Sequence, residues 1–445
     1  MKLALIKPNI GRLEHGQFAD EARMEPLQLG VLAALTPPDV EVVLYDDRVE
    51  PIPYDTPVDL VAITAQIFTA RRAYEISGEY RRRGIPVIIG GLHPTLMPQE
   101  AALHADSVYV GDAEFRWREV IEDARRGQLK PVYQACVGPP QPKMLTRRDL
   151  FDGKGYLPVT LLQFSRGCRF SCEFCAVSAY FNHRHYYRNI DELVREIEAQ
   201  ERQHLFFVDD NLLSDHEAAK ALFRALIPLK VKWVSQGSID MTEDRELMSL
   251  MAKSGCLGNV IGFESIDARN LHLMGKTPNL ICGFKSYQPQ LEILRDYGLQ
   301  TWAAFTIGHD HDTRESIERT LQFALENRFT FAAFNVLMPY PGTALYRRLQ
   351  AEGRLLYNGQ WWLHPDYRFN YAALQPGYMT PDELTEAGHH CRKAFNSLPN
   401  IVHRALDPKT NMRSLFRFAL FAVYSRLFRQ ESLKKHGMHL GETSL

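Results

Sequence analysis

Short apolar runs alternate with helical periodicity through the first 110 residues. Leu3–Lys7, Val40–Tyr45, Leu60–Thr64, Pro86–Ile89 and Ser107–Val110 read as strands. Pro26–Leu35 and Ala70–Arg82 carry apolar positions three and four apart, and a shorter helix falls near Gln99–His104. Strands separated by helices of this length predict a doubly wound parallel sheet of about five strands. Such sheets bind ligands outside the carboxyl ends of their strands. The loops there hold Asn9, Thr64 and Gln66, the string Gly90-Gly91-Leu92-His93, and Gly111-Asp112-Ala113-Glu114. Small residues let a backbone approach a ligand closely, so this edge is a candidate cofactor face of a nucleotide-like or tetrapyrrole-like kind. No G-x-G-x-x-G follows the first strand and no P-loop occurs, so those two phosphate-binding fingerprints are absent.

A Pro- and Gly-rich stretch, 136–158, with Pro139, Pro140, Pro142, Gly153 and Gly155, reads as a linker. A second alternating series follows. Its strands are Val159–Phe164, Leu205–Val208, Lys232–Gln236, Val260–Phe263, Thr301–Ile307 and Phe331–Leu337. Helices are expected between them at Asp191–Glu201, Ala218–Leu229, Glu243–Lys253, Gln288–Tyr297 and Thr313–Asn327. Six strand–helix units predict a partial (β/α)6 barrel, because a closed eight-stranded one takes about 250 residues. Beyond 350 the pattern is irregular and then helical. The division expected is 1–135, a linker 136–158, a barrel 159–345 and a mainly helical region 346–445.

Composition narrows the function classes. At about 150 residues per domain, 445 residues give about three domains. Lys and Arg number 52 against 53 Asp and Glu, so the basic excess of a general nucleic-acid binder is missing. The longest charge-free run, Phe329–Tyr346, contains Asn335, Pro339, Pro341 and Gly342, which a spanning helix rarely tolerates together. The opening MKLALIKPNI has charge on both sides of a short apolar run and reads as a strand rather than a signal peptide. The seven cysteines are therefore expected in a reducing cytosol, where clustered cysteine means metal or catalysis more often than disulfide.

Three of those cysteines lie within eight residues. Cys168, Cys172 and Cys175 have the spacing C-x-x-x-C-x-x-C directly after the first barrel strand. Three thiolates on one loop can hold three irons of a [4Fe–4S] cluster and leave the fourth iron open to an exogenous ligand. The competing reading is zinc, with His183 or His185 recruited as a fourth ligand. Cys136, Cys256, Cys282 and Cys391 show no spacing and read as buried small hydrophobes.

On these residues the sequence resembles the radical S-adenosylmethionine enzymes, over roughly 158–345. The resemblance implies that Cys168, Cys172 and Cys175 bind the cluster and that S-adenosylmethionine chelates the open iron. Reductive cleavage then yields a 5′-deoxyadenosyl radical. It further implies that Phe174 lies near the adenine. Asp209 and Asp210 of Phe207-Val208-Asp209-Asp210-Asn211 stand where the family contacts the cofactor's amino group. Gln236 and Ser238 end the third strand, Glu264 the fourth, with Gly308 and Tyr340 completing the set. The first domain, with Pro26-Leu27-Gln28-Leu29-Gly30, the Gly90-Gly91 loop and Gly111-Asp112-Ala113-Glu114, looks like the cobalamin-binding domain that precedes many such enzymes. Asn9, Thr64, Gln66, Gly90, Gly91, Gly111 and Glu114 are its candidate contacts. The strings 208–211 and Gly308-His309-Asp310-His311-Asp312 are similar to the branch containing hopanoid C-2 methylases. The sequence departs from the family in lacking D-x-H-x-x-G; Asp46-Asp47-Arg48 has no histidine. A cobalamin would then have an unligated lower face, or one covered by Gln66–Phe68, and the domain as pure scaffold is the alternative.

The activity expected is cobalamin-dependent methylation of an unactivated carbon in a lipid or natural product. An electron donor such as flavodoxin or ferredoxin would be its partner. A rearrangement, cyclisation or transfer of another fragment of S-adenosylmethionine is the alternative within radical chemistry, and a non-catalytic sensor the alternative outside it. His309 and His311 read as a polar loop rather than a metal pair. Of Asp209 and Asp210, one is expected at the cofactor and one fixing the loop. Trp361, Trp362, Tyr367 and Tyr371 read as an aromatic wall at the barrel mouth or as core. Residues 403–436 carry eight Lys and Arg against Asp407 and Glu431, and 412–430 is rich in aromatics. Such a helix either docks on the barrel or a partner, or lies peripherally on an anionic membrane.

Overall fold

The computed structural model describes residues 1–13, 23–141, 145–200, 202–280 and 286–442. The readings of Pro142 and Cys282, and the last residue of the helix expected at Asp191–Glu201, fall outside them. The chain divides into two compact units, one made of Met1–Leu157, Tyr357–Phe369 and Gly437–Leu445, the other of Pro158–Leu356 and Asn370–His436.

In the first unit, β1 (Lys2–Lys7), β2 (Glu41–Asp46), β3 (Leu60–Thr64), β4 (Val87–Gly90), β5 (Ser107–Val110) and β6 (Val132–Gln134) form one parallel sheet in the order β2-β1-β3-β4-β5-β6. β1 and β5 are almost wholly buried, as strands covered on both faces must be. β6 escapes the sequence pattern because only Tyr133 of its three residues points inward. The order reverses between β1 and β3, which is where a doubly wound sheet opens a crevice.

The stretch read as a linker is integral to this unit in its described part. Phe151 is buried, and the Tyr156 hydroxyl donates to Asp46 at 2.7 Å. Residues 357–369 and 437–442 also belong here rather than to a separate C-terminal region. Trp361, Trp362 and Tyr367 are buried core of the first unit, not a wall at the barrel mouth. Phe68 lies 5.0 Å from Trp361 and 5.2 Å from Phe369. The Trp362 indole donates to Glu100 at 3.1 Å.

The second unit begins with β7 (Thr160–Leu162), then a small antiparallel ladder of β8 (Ser165–Gly167) and β9 (His185–Tyr187). β10 (His204–Phe207), β11 (Lys232–Gly237), β12 (Cys256–Glu264), β13 (Gln300–Ile307) and β14 (Phe331–Val336) follow, each after a helix. The parallel order is β14-β13-β12-β11-β10-β7, an open six-stranded sheet with β7 and β14 at its edges. β13 alternates strictly: Ala303, Phe305 and Ile307 enter the core, while Ala304 and Thr306 face the other side. Phe305 packs against Phe263 and Phe334 at 5.7 and 5.5 Å, the centre of the layer between sheet and helices. Thr313 and Ser316 cap the helix Arg314–Glu326 reciprocally, and Thr380 and Glu383 do the same for Pro381–Phe395.

The C-terminal helices are fastened by arginines. Arg404 is fully buried, donates to the Thr330 and Phe395 carbonyls at 2.7 and 3.0 Å, and lies 3.8 Å over the Phe395 ring. Replacing it strands those carbonyls, so Arg404→Leu is expected to cost about 3 kcal/mol in urea unfolding, with Lys failing to restore the fork. Arg392 donates to the Phe334 carbonyl at 2.7 Å and to His436 Nδ1 at 3.4 Å, and His436 stacks on His389 at 4.1 Å. An accepting imidazole must be neutral. Burial, His389 and Arg392 push His436 down to about 4. The unfolded chain binds a proton near 6.5 that the folded chain refuses, so stability is complete above that pH and is lost as pH falls toward 4. His436→Gln is expected to shrink the drop in melting temperature between pH 7 and pH 5.

Candidate active site

The carboxyl ends of the second sheet converge on the cysteine loop. Ser178 Oγ donates to the Phe170 carbonyl at 3.0 Å, and Cys175 N donates to the Cys172 carbonyl at 3.1 Å, so the loop is curled on itself. Cys172 is buried and its thiol is pushed up to about 11 by that burial; Cys168 and Cys175 are half-buried. Among the described residues, no three His, Cys, Asp or Glu side chains converge as ligands of a single ion. A [4Fe–4S] cluster asks for a different arrangement, one sulfur per iron around a cage. His185 Nδ1 is bonded to Tyr187 and Ser214 at 2.7 and 3.1 Å, and His183 lies 3.3 Å from the Phe170 carbonyl. Both histidines serve the packed loop. Of the remaining described cysteines, Cys256 and Cys391 are buried as expected, but Cys136 is exposed.

Asp209 and Asp210 both turn to the loop's backbone. Asp209, fully buried, accepts from Phe164 N at 3.1 Å, from Ser165 N, and from Ser165 Oγ at 2.6 Å. Asp210 accepts from Gly167 N at 2.8 Å. Both carboxylates therefore fix the loop. The next residue reaches the sulfur instead. Asn211 Nδ2 lies 3.8 Å from Cys168 Sγ and donates to Ser238 Oγ at 3.1 Å, while its Oδ1 is buried without a partner. Ser238 thus sits beside the loop. Gln236, half-buried on β11, contributes its carbonyl to Leu212 N at 3.1 Å.

Glu264 occupies a bulge of β12 with φ of 60°. Its carboxylate takes the Lys276 ammonium at 2.9 Å and the Thr306 hydroxyl at 2.7 Å. Lys276 is nearly buried, and attraction to Glu264 and the cysteine sulfurs holds its ammonium charged against desolvation. No spacing signals Lys276 or Thr306. They meet Glu264 only because β13 and the turn after helix Ala268–Leu273 bring them there. Gly308 has φ of 101°, and a Cβ there would lie 2.5 Å from Leu384, so the turn needs glycine for packing as well as for its backbone angle. His309 beyond it is 3% exposed and its Nε2 has no partner, while Asp312 is bonded to Gly308 N, His309 N and Asn270. The polar-loop reading of 308–312 fits this geometry. Phe174 packs between the main core and the Leu337, Leu345, Leu349 and Leu374 cluster. Burial pushes the Tyr340 hydroxyl up to about 12, with Cys175 adding to the shift. Across the loop, Arg348 pairs with Glu173 at 2.8 Å and with Asp310 at 2.7 Å.

In the first unit, every candidate contact stands at a strand's carboxyl end, but several are committed to the fold. Asn9 is buried and bonded to Asp47, and Gln66 caps the turn 67–69. Gly91 has φ of 112°, and a Cβ would lie 2.8 Å from the Ala65 carbonyl and 3.2 Å from Thr64 Oγ1, so it lets two loops close on each other. Gly90 leads into that turn. Gly111 accepts a close approach from Ala135, and Glu114 is buried. His93 is buried with Nε2 at 2.8 Å from Glu100 and Nδ1 unpartnered.

The Glu264–Lys276 pair yields a direct test. Lys276→Met leaves a nearly buried carboxylate unpaired and is expected to cost about 3 kcal/mol of unfolding free energy. The double change with Glu264→Gln recovers most of that loss in a double-mutant cycle.

Residues 162–324 match the family model described as the Radical SAM superfamily. The chain is 30% identical over 338 residues to bacteriochlorophyllide d C-12(1)-methyltransferase of Chlorobaculum tepidum, covering 73% of this chain and 74% of the relative. It is 31% identical over 362 residues to the same organism's bacteriochlorophyllide d C-8(2)-methyltransferase, covering 75% and 78%. The fold is shared with the radical S-adenosylmethionine methyltransferase TsrM of Kitasatospora setae, solved with cobalamin and a [4Fe–4S] cluster bound. That match has a TM-score of 0.62 at 17% identity, covering 79% of this chain and 75% of that one. With a three-cysteine loop at the mouth of an open parallel sheet and relatives matched along most of their length, the chain belongs to the radical SAM superfamily, as an enzyme homologous to its methyltransferases.

Proposed function

We propose that this enzyme methylates an unactivated carbon, using a [4Fe–4S] cluster, S-adenosylmethionine and cobalamin. The observation that carries the reading is the placement of Cys168, Cys172 and Cys175 on one curled loop with Asn211 directed at a cysteine sulfur. Bound there, the cluster and S-adenosylmethionine would supply radical chemistry, and cobalamin would supply the methyl group. The donor set fits. Three cysteines answer three irons, and the unpartnered Asn211 Oδ1 and His309 Nε2 are polar groups waiting for a partner.

In this reading Asn211 donates to the Cys168 thiolate and Ser238 fixes the amide. Lys276 offers an ammonium to the methionine carboxylate, and Glu264 an acceptor to its amino or ribose hydroxyl groups. Phe174, Tyr340, Gln236 and the backbone at Gly308 would hold the adenosine part of S-adenosylmethionine. Asp209 and Asp210 hold the loop rather than the cofactor. Thr64, Gln66, Gly90, Gly91, Gly111 and Glu114, with Asn9 shaping the first turn, form the cobalamin edge of the first unit. The substrate is an apolar small molecule, a lipid or natural product. Bacteriochlorophyllide d, named for the two relatives, is the first to test. An external one-electron donor of the flavodoxin or ferredoxin kind completes the system.

The decisive measurement is iron and cobalt per chain after anaerobic reconstitution with iron, sulfide and hydroxocobalamin. About four irons are expected, with cobalt equimolar to protein. Cys168→Ala, Cys172→Ala or Cys175→Ala is expected to abolish both the cluster's absorbance and 5′-deoxyadenosine formation. A full iron complement without cobalt overturns methyl transfer in favour of a radical rearrangement or cyclisation driven by S-adenosylmethionine alone.

A further inference from the structure

The C-terminal helices carry an outer surface that the fold leaves uncovered. Among the described residues, eight of the fifteen exposed large apolar side chains fall between Leu398 and Val423. Helix Leu398–Ala405 shows Val402, 58% exposed, and Leu406 follows at 57%. Helix Leu415–Lys434 shows Leu415 at 89%, Phe418 at 42% and Val423 at 57%. Leu415, Phe418, Ala419, Ala422 and Val423 are all exposed at spacings of three and four, so they form one stripe along the helix. The opposite face is also apolar and is satisfied: Phe421 is buried, and Phe428 packs on Trp302 and Phe331 at 4.5 and 4.9 Å. Helices apolar on both faces are ordinarily buried on both. Here only one face is.

We propose that this outer face docks on the surface of an anionic lipid bilayer. Charge selects the occupant. Between Leu398 and Gln430 the single acid, Asp407, is buried against Arg295 at 2.9 Å, whereas Arg413 and Arg426 are exposed beside the apolar stripe. Lys409 is set aside, since it pairs with Asp296 at 2.8 Å. A second copy of the chain meeting this face across a two-fold axis would set Arg413 and Arg426 against the same residues of its partner. An anionic headgroup layer pairs with those arginines while the stripe enters the acyl boundary. No described helix is long and apolar enough to cross a membrane, so the contact is peripheral. The helix and the turn before it grip the amino-terminal ends of the strands, where Arg417 donates to the Leu257 carbonyl at 3.1 Å and Asn411 accepts from Gln300 at 3.0 Å. The surface therefore lies away from the cysteine loop, at the carboxyl ends.

The test uses the full chain, loaded anaerobically, in flotation with vesicles of mixed phosphatidylglycerol and phosphatidylcholine and with vesicles of phosphatidylcholine alone. Wild type is expected to float with the anionic vesicles and to be released by salt. Leu415→Asp with Phe418→Asp is expected to weaken flotation at least about tenfold while melting temperature and iron content stay unchanged. Arg413→Gln with Arg426→Gln is expected to weaken it about thirtyfold at low salt, at about 1 kcal/mol per charge removed, without touching the apolar stripe. Equal flotation with both vesicle types overturns the proposal, as does the absence of flotation. A wild-type dimer that the Asp variants make monomeric overturns it in favour of self-association.

Discussion

Asp209 is fully buried, and its carboxylate takes the backbone N–H groups of Phe164 and Ser165 together with the Ser165 hydroxyl. A carboxylate without solvent is costly unless its lone pairs are filled, and this one is filled by the segment that leaves β7. The chain therefore cannot continue straight from the first strand. It is turned into the β8–β9 ladder, and the three cysteines are presented between the two short strands. Asp210 secures the next N–H, at Gly167, and Asn211 reaches Cys168. Three consecutive residues after β10 thus set the start, the neck and one sulfur of the loop.

Much of this architecture was legible because it rests on local pattern. The parallel strands of both sheets announce themselves as apolar runs, and Leu60–Thr64 and Ser107–Val110 coincide with the observed strands residue for residue. The three cysteines carried their own chemistry in their spacing. What escaped depends on partners far apart in the chain. The backbone groups that Asp209 and Asp210 serve lie 43 to 45 residues earlier, and only the fold brings them together. Lys276 is one lysine among many until β12 bulges at Glu264. Trp361 and Trp362, read as a wall at the barrel mouth or as core, are core, and of the first unit, which no local pattern announces.

The glycines of the first unit show a different limit. A glycine at a strand's carboxyl end is compatible with close approach by a ligand or by another piece of backbone. Gly91 against Ala65 and Gly111 against Ala135 are the second case. The same residues can still border a cofactor, but their presence is already required by the chain's own packing. His93 carries more information than either glycine, since its ring nitrogen is buried and unpaired beside that turn.

The cysteine loop is short, yet it is held by groups drawn from the whole length of the second unit. Glu173 N bonds to the Met274 carbonyl at 2.9 Å, Leu345 N bonds to the Glu173 carbonyl at 2.9 Å, and Arg348 clasps the Glu173 carboxylate 175 residues on. A nascent chain that has just released its three cysteines from the ribosome therefore has the thiols but not the mould. The mould closes only when residues near 350 have emerged and folded. Insertion of iron and sulfide is thereby ordered after synthesis of the barrel, and a chain terminated before Ala344 would retain all three loop cysteines while losing the clasp that sets their geometry.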